Sequence, residues 1–411
     1  MHLLRHLRED VSGRSYRGEE MRDVIIVGAG PGGSSVAKEL ALRGYDVALY
    51  EKRQEIGAPK RCGEGLSSSS IERLNLKIPR HCIRENIKGA IVYAPNGKSV
   101  EISFDRVVGH ILERKMFDKW MAEEAARAGA FVRAKTYIKE LLFENGKVCG
   151  VRGTFEGEEF EERARVVVGA DGVESKIGKM AGLKIRSNPQ LMDSGYQYEM
   201  ANVDLEHRGY LELYFGNSIA PRGYVWIFPK GKDVANVGIG IAGDHDRPAK
   251  SYLDDWITTK PGIRKGSILE VNAGGIPVGG FLKNMVTDNF LLVGDAAHQV
   301  NPIHGGGIAE SITAGRIAAS VIDEALQKGD TSARTLDKYN KVWWKERGEK
   351  LRKIEKLREV VEEMDDETLN FLASELSGRD LMEFTRGNRL GKLAKILMKK
   401  PGLVLLARKL L

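Results

Sequence analysis

The sequence predicts an α/β protein. A Rossmann-like nucleotide-binding domain is interrupted by a second domain with a mixed sheet and followed by a helical C-terminal region. Three observations predict it. Residues 23–33, DVIIVGAGPGG, run from an apolar strand straight into a glycine-rich turn, and a helical segment follows. Residues 165–172 and 290–298 are two further apolar strands, each ending in a glycine and an acid. Between them lies PRGYVWIFPK, residues 221–230, an aromatic strand bounded by prolines. Chain order then gives residues 21–75, 105–185 and 285–328 to the nucleotide domain. Residues 76–104 and 186–284 form the sheet domain that would bind substrate, and 329–411 are helical.

In the first motif Gly28 allows the tight turn. Gly30 and Gly32 let the backbone approach a pyrophosphate, and Gly33 lets helix pack on strand. The helix N-terminus offers free N–H groups to phosphates. A second strand, residues 47–50, ends at Glu51, 18 residues beyond Gly33, where an acid accepts hydrogen bonds from ribose hydroxyls. The strand of residues 290–293 puts Asp295 at its carboxyl end, where open α/β sheets bind ligands. Next comes NPIHGGGI, residues 301–308, whose glycine-exposed N–H groups open a helix and can stabilise negative charge on a reduced flavin. In PRGYVWIFPK the two-residue period of a strand places Tyr224, Trp226 and Phe228 on one face, and Val225 and Ile227 on the other. By itself such a strand is either core or the wall of an apolar site.

Composition narrows the class. Over 411 residues, 42% hydrophobic content and 47 glycines fit a large globular protein with many tight turns. Net charge is +7, but from Arg386 onward there are eight Lys or Arg and no acid, so the first 385 residues carry −1. That excludes a broad nucleic-acid groove and marks one local basic element. Cys62, Cys82 and Cys149 have no metal-type spacing, so no metal is expected, and their odd number suits a reducing cytoplasm. No apolar run approaches the roughly 20 residues of a bilayer span. Residues 1–20 carry four acids and four arginines without an apolar core, and read as a disordered extension.

Taken together, GxGxxG with Glu51, the GADG turn at 169–172 and GDAAH at 294–298 resemble the FAD-binding fold of p-hydroxybenzoate hydroxylase. Within that fold, RCGEG at 61–65 and the Tyr-x-Trp-x-Phe-Pro strand followed by Gly238 and Gly240 resemble the geranylgeranyl reductase family, particularly its archaeal reductases of digeranylgeranylglycerophospholipids. The resemblance implies an FAD-dependent enzyme that saturates C=C bonds of geranylgeranyl chains in membrane lipids. It implies FAD contacts at Gly32, Glu51, Cys62, Gly63, Gly65, Asp295, Gly307 and Ile308. Arg114 would pair with the pyrophosphate, and Ile138 would meet adenine through its backbone only. Tyr224 and Trp226 would line a prenyl-chain cavity over the flavin, with Phe228 left to the core. Cys62 is the catalytic candidate; its thiol positions the alkene, relays a proton, or is simply a small packed sulfur. His298 and His304 read as scaffolding.

Two rivals share the frame: a flavin monooxygenase acting on an apolar substrate, and a non-enzymatic prenyl-lipid binding protein. Flavin halogenases carry Trp-x-Trp-x-Ile-Pro, whereas Tyr224 and Phe228 stand here. No second GxGxxG indicates a nicotinamide domain, so NADPH, ferredoxin and a deazaflavin are equal candidates for the electron donor. In the tail, Leu390, Leu393, Ala394 and Leu397 share one helical face and Lys392, Lys395 and Lys399 the other, with Arg389 at the edge. This predicts peripheral association with an anionic membrane surface.

Overall fold

A central parallel sheet organises the molecule, whose computed structural model describes residues 21–185, 188–245 and 247–410. The extension expected over residues 1–20 lies outside the described residues. The strand Arg22–Val27 sits in the middle, flanked by Val47–Tyr50 and then Phe131–Arg133 on one side. On the other side come Glu158–Gly169 and Phe290–Leu292, all parallel. These strands are nearly continuous Val, Ile and Leu because the sheet is buried on both faces, and Ile138, Leu141, Val148 and Val151 of the antiparallel strands Thr136–Glu144 and Lys147–Phe155 share its core. Helix Pro31–Ala41 packs between Arg114–Arg127 and Ile308–Lys328. Glu158–Gly169 is longer than its neighbours because its first half pairs antiparallel with Lys147–Phe155, and only Ala164–Gly169 joins the parallel core.

The glycine turn is explained by two close approaches. Gly28 has φ +110°, and a Cβ there would stand 2.2 Å from the Ala170 carbonyl oxygen. A Cβ on Gly33 would come within 2.0 Å of the Gly28 carbonyl oxygen. The GADG turn therefore presses directly on the GxGxxG turn.

A seven-stranded sheet forms the second layer. Its order runs Ser267–Ile276, Asp193–Ala201, Val234–Ala242, Tyr224–Pro229, Tyr210–Phe215, Gly89–Tyr93, Ser99–Ser103. All neighbours are antiparallel except Tyr210–Phe215 with Gly89–Tyr93. The sheet is thus mixed, and it draws strands from two separate stretches of chain. One face carries its own core: Val225 and Ile227 pack with Val237, Ile239, Leu253 and Trp256 beneath helix Ala249–Thr258.

The C-terminal region is helical from Ala333 onward. Leu390–Leu397 forms the expected amphipathic helix, and Pro401 and Gly402 interrupt the chain before Val404–Lys409. Its apolar face, however, is occupied. Leu393, Ala394 and Leu397 are buried against Leu357, Val360 and Phe384. Part of its basic face is paired as well: Lys392 lies 2.6 Å from Asp380, Lys400 lies 3.0 Å from Glu367, and Lys399 pairs with Glu375. The face expected to meet lipid is spent on packing, because an internal apolar partner was available in the preceding helices. Among the described residues no helix is long and apolar enough to cross a membrane.

Asp193, at the start of its strand, meets Arg358 and Glu362 of helix Glu349–Glu362, so it marks where the helices dock on the sheet. Burial pushes its carboxyl up to about 7, with Arg358 opposing. An unfolded Asp ionises near about 3.9. Between those values the folded state binds more protons, so this group's contribution to stability falls as pH rises from about 4 to 7. Asp193→Asn is expected to flatten that loss. Thermal midpoints at pH 5 and pH 8 test it; equal pH differences in wild type and variant would refute the assignment.

Candidate functional site

One cavity of about 1680 Å³ runs between the two sheets and the C-terminal helices. Ordinary ligand pockets occupy roughly 300–1,000 Å³, so this one is large enough for two sizeable molecules. The glycine turn, Glu51, the 61–65 loop, Arg114, Ile138, Asp295, Gly307, Ile308 and the aromatic strand all line it. The sequence-predicted residues, spread over some 280 positions, converge on one space. Gly33 is the exception. It does not face the cavity; its role is the helix–strand approach described above, which corrects its placement among cofactor contacts.

The dinucleotide end is built on backbone. Gly30 has no atom within 4 Å of where its Cβ would lie, so the start of helix Pro31–Ala41 is open to the cavity. Glu51 accepts from Ala29 N–H (3.1 Å) and Arg53 N–H (3.0 Å), which fixes its carboxylate beside the glycine turn. Across the sheet, Asp295 faces the cavity; burial pushes its carboxyl up and Arg114 opposes the shift. A Cβ on Gly307 would stand 2.9 Å from Asp295 Oδ1, so only glycine lets this turn close over the acid. An extended groove with an acid at each strand end and a helix N-terminus at either side fits the phosphates, ribose and flavin of FAD.

Arg114, the first residue of its helix, is largely buried. Its side chain is 14% exposed and clamped by Asp118, Nε to Oδ1 at 2.9 Å and Nη2 to Oδ2 at 2.8 Å. Burial works against the charge, but Asp118 and the neighbouring Cys62 sulfur raise its pKa further still. A permanent positive charge therefore sits beside Cys62 and within reach of Asp295. The Cys62 sulfur accepts from Glu64 N–H at 3.1 Å.

The aromatic strand resolves its two readings by face. Val225 and Ile227 are core, while Tyr224, Trp226 and Phe228 line the cavity. Phe228, expected in the core, is corrected: its ring lies over Gly63, where a Cβ would approach within 2.8 Å. The Trp226 indole rests on Gly238, where a Cβ would be 2.3 Å from Cζ2. Its Nε1–H donates to Gln197 Oε1 at 2.9 Å, and Gln197 Nε2 donates to the Cys62 carbonyl at 3.2 Å. Trp226 thus holds the cysteine loop as well as lining the cavity. Tyr224 O–H donates to the His304 carbonyl at 3.2 Å, joining the seven-stranded sheet to the 305–307 glycine turn. His304 Nδ1 accepts from Gly306 N–H at 3.1 Å, and burial lowers its pKa. His298 is buried with Nδ1 against the Gly279 and Gly280 carbonyls, which is scaffolding as expected.

Two features escaped the sequence. The first is a buried charge cluster behind Cys62. Glu64 Oε2 lies 2.7 Å from Lys230 Nζ and 3.2 Å from Lys60 Nζ, and its carboxylate also accepts from Asn236 Nδ2 at 2.6 Å and Arg114 N–H at 2.8 Å. The side chains of Lys60, Lys230 and Glu64 are fully buried. Glu199 completes the group; desolvation opposes its charge, yet hydrogen bonds from Lys230 and Lys60 hold it at about 2. Glu64 falls inside RCGEG and Lys230 inside PRGYVWIFPK, but nothing local reveals that they meet. The second is the far wall of the cavity, formed by Ile354, Leu357, Leu372, Leu376, Phe384 and Leu393 of the C-terminal helices.

The chain matches the family model described as FAD binding domain over residues 21–229, and that described as Geranylgeranyl reductase catalytic domain over residues 192–276. It is 40% identical to Digeranylgeranylglycerophospholipid reductase 2 of Methanopyrus kandleri, over 95% of this chain and 99% of that one. It is 41% identical to the digeranylgeranylglycerophospholipid reductase of Methanocaldococcus jannaschii, over 94% and 97%. A geranylgeranyl bacteriochlorophyll reductase-like protein from Thermoplasma acidophilum superposes with a TM-score of 0.87 at 36% identity, covering 95% of this chain and all of that one. The halogenase CndH shares the fold alone, with a TM-score of 0.68 at 22% identity over 81% of each chain. With its cavity built on an FAD frame and matched along its length, the chain belongs to the geranylgeranyl reductase family of flavin oxidoreductases.

Proposed function

We propose that the protein saturates the C=C bonds of geranylgeranyl chains in archaeal-type membrane lipids, as an FAD-dependent digeranylgeranylglycerophospholipid reductase. One observation carries the reading: a single cavity joins a dinucleotide cradle to an apolar chamber walled by the aromatic strand and the C-terminal helices. Gly28, Gly30 and Gly32 would receive the FAD phosphates and Glu51 a ribose. Gly63, Gly65, Ile138, Asp295, Gly307 and Ile308 would follow the rest of the cofactor, with Arg114 giving charge compensation. Bound in its reduced form there, FAD would supply the hydride equivalent, with NADPH, ferredoxin or a deazaflavin as the candidate electron donors.

An isolated alkene is poorly electrophilic, so the protein's main contribution is apposition and the exclusion of water. Tyr224 and Trp226 press the chain toward the cysteine loop. Cys62 holds the alkene or delivers a proton to the carbon that does not receive hydride. The Glu64–Lys60–Lys230 cluster and the Gln197 bridge fix where that sulfur stands. The exposed Lys395 and Arg408 near exposed Met398 and Leu405 support contact with an anionic membrane surface, where each nearby cation adds about 1 kcal/mol.

The central test reduces the purified FAD-loaded protein without oxygen, adds a digeranylgeranyl phospholipid, and follows flavin absorbance and product mass. Reoxidation with a gain of two hydrogens per double bond is expected. A gain of one oxygen, seen only in air, would establish a monooxygenase, and no reoxidation at all would leave a binding protein. Trp226→Ala should lower lipid turnover roughly ten- to hundred-fold with FAD retained; loss of FAD instead would return the strand to a purely structural role. Lys230→Met removes one of the two lysines that pair with the buried carboxylates Glu64 and Glu199 and should cost about 3–5 kcal/mol in denaturant unfolding. The double variant Lys230→Met/Glu64→Gln should recover part of that loss, and strict additivity would show that the two do not interact.

A further inference from the structure

Along the cavity wall beside the C-terminal helices stand four cations that few carboxylates answer. Lys350 lies on helix Glu349–Glu362, Arg347 in the turn before it, Arg386 just after helix Gly378–Thr385, and Arg73 at the end of helix Ser68–Arg73. All four line the same cavity as the aromatic strand. Arg347 is held by Glu310 through two hydrogen bonds, one of 2.8 Å, and Arg386 stands 3.5 Å from Glu383. Among the described residues Lys350 has no hydrogen-bonding or ionic partner for its ammonium, and Arg73 has only the Thr313 hydroxyl at 2.9 Å and no carboxylate within ion-pair distance. Arg316, near Arg73, is turned to Glu39 at 3.7 Å, and Glu346 is a more distant negative charge.

Like charges repel, and Glu310 and Glu383 compensate that repulsion only in part, since neither makes an ion pair with Lys350 or Arg73. Partial burial lowers the Lys350 pKa, and Arg347 and Arg386 lower it further with Glu310 opposing; Arg73 is lowered by partial burial and then by Arg347, again with Glu310 opposing. The apolar side adjoins directly. Ile354 and Leu357 follow Lys350 at four and seven positions along one helix face, and Phe384 precedes Arg386 by two; all three line the chamber.

The geometry points to an anion site for a phosphate ester beside the apolar chamber: Lys350, Arg73, Arg386 and Arg347 receive the head-group phosphate of the lipid whose chains fill the chamber. This deepens the functional reading above and rests on it. Chain and head group would then be bound by different walls, so the phosphate fixes how deep each double bond reaches.

The test measures binding, with turnover playing no part. FAD-loaded protein is titrated with digeranylgeranylglyceryl phosphate and with digeranylgeranylglycerol in the same neutral detergent, read by flavin fluorescence. Wild type should prefer the phosphorylated lipid. Lys350→Ala and Arg73→Ala, both exposed positions, should reduce that preference roughly tenfold or more, since each removes a charge-assisted hydrogen bond. Lys350→Arg should restore it, and raised salt should weaken it in wild type. An equal affinity change for both lipids, or an unchanged preference, would overturn the site. So would loss of FAD at an unchanged preference. Inorganic phosphate provides the other arm. If it binds and Lys350→Ala abolishes that binding, while the two lipids bind wild type alike, the site serves free phosphate and the lipid assignment fails. Absence of double-bond reduction would count against the reductase reading and leave the binding ratio to be judged separately.

Discussion

The molecule turns on the burial of one carboxylate. Glu64 sits in a left-handed backbone position (φ +74°) with a side chain fully out of water. A buried charge is tolerable only when it is paired and hydrogen-bonded. Its partners come from far apart in the chain: Lys60 from its own loop, Lys230 from the end of the aromatic strand, Asn236 from the next strand, and the Arg114 N–H from the nucleotide domain. Neutralising Glu64 therefore requires the two sheets to meet at one place, and the Cys62 loop lies at that place.

These holds leave the Cys62 loop little freedom. One side is held electrostatically through Glu64, the other through Trp226, Gln197 and the Cys62 carbonyl. Phe228 closes over Gly63 between the two holds. Each hydrogen bond contributes modestly, on the order of 1 kcal/mol, but together they hold the loop backbone from which the sulfur projects, and the Glu64 N–H reaches the sulfur itself. For a reaction that depends on apposition, a fixed position is the relevant property, because small displacements at the reacting centre are costly.

Legibility in the sequence followed the range of the interactions. The nucleotide frame was readable because GxGxxG, Glu51 and Asp295 each act within a few residues of a strand end. The aromatic strand was half readable: its period gave the two faces, but not which face met a cavity, nor that Phe228 joined Tyr224 and Trp226 there. Gly33 shares a motif with the glycines that open onto the cavity, but it serves the approach to Gly28. Gln197, Lys230 and Glu199 were invisible, since their partners lie some 30 to 170 residues away and the motif supplies no local cue. The tail helix was correctly placed and its face misassigned. Amphipathicity states that an apolar stripe must be covered, and only the tertiary structure states by what.

The shared frame also limits what the fold can say about chemistry. A halogenase superposes on this chain at 22% identity, so the nucleotide cradle alone does not select a reaction. The differences must lie in the walls. Here the C-terminal helices close the chamber with leucines and a phenylalanine, and the aromatic strand faces them across it. Long apolar chains gain about 0.8 kcal/mol for each buried CH₂, so a chamber of this kind binds a prenyl chain along its length. A walled apolar chamber also keeps water from the reacting carbons, and that exclusion belongs to residues that no nucleotide-binding motif contains.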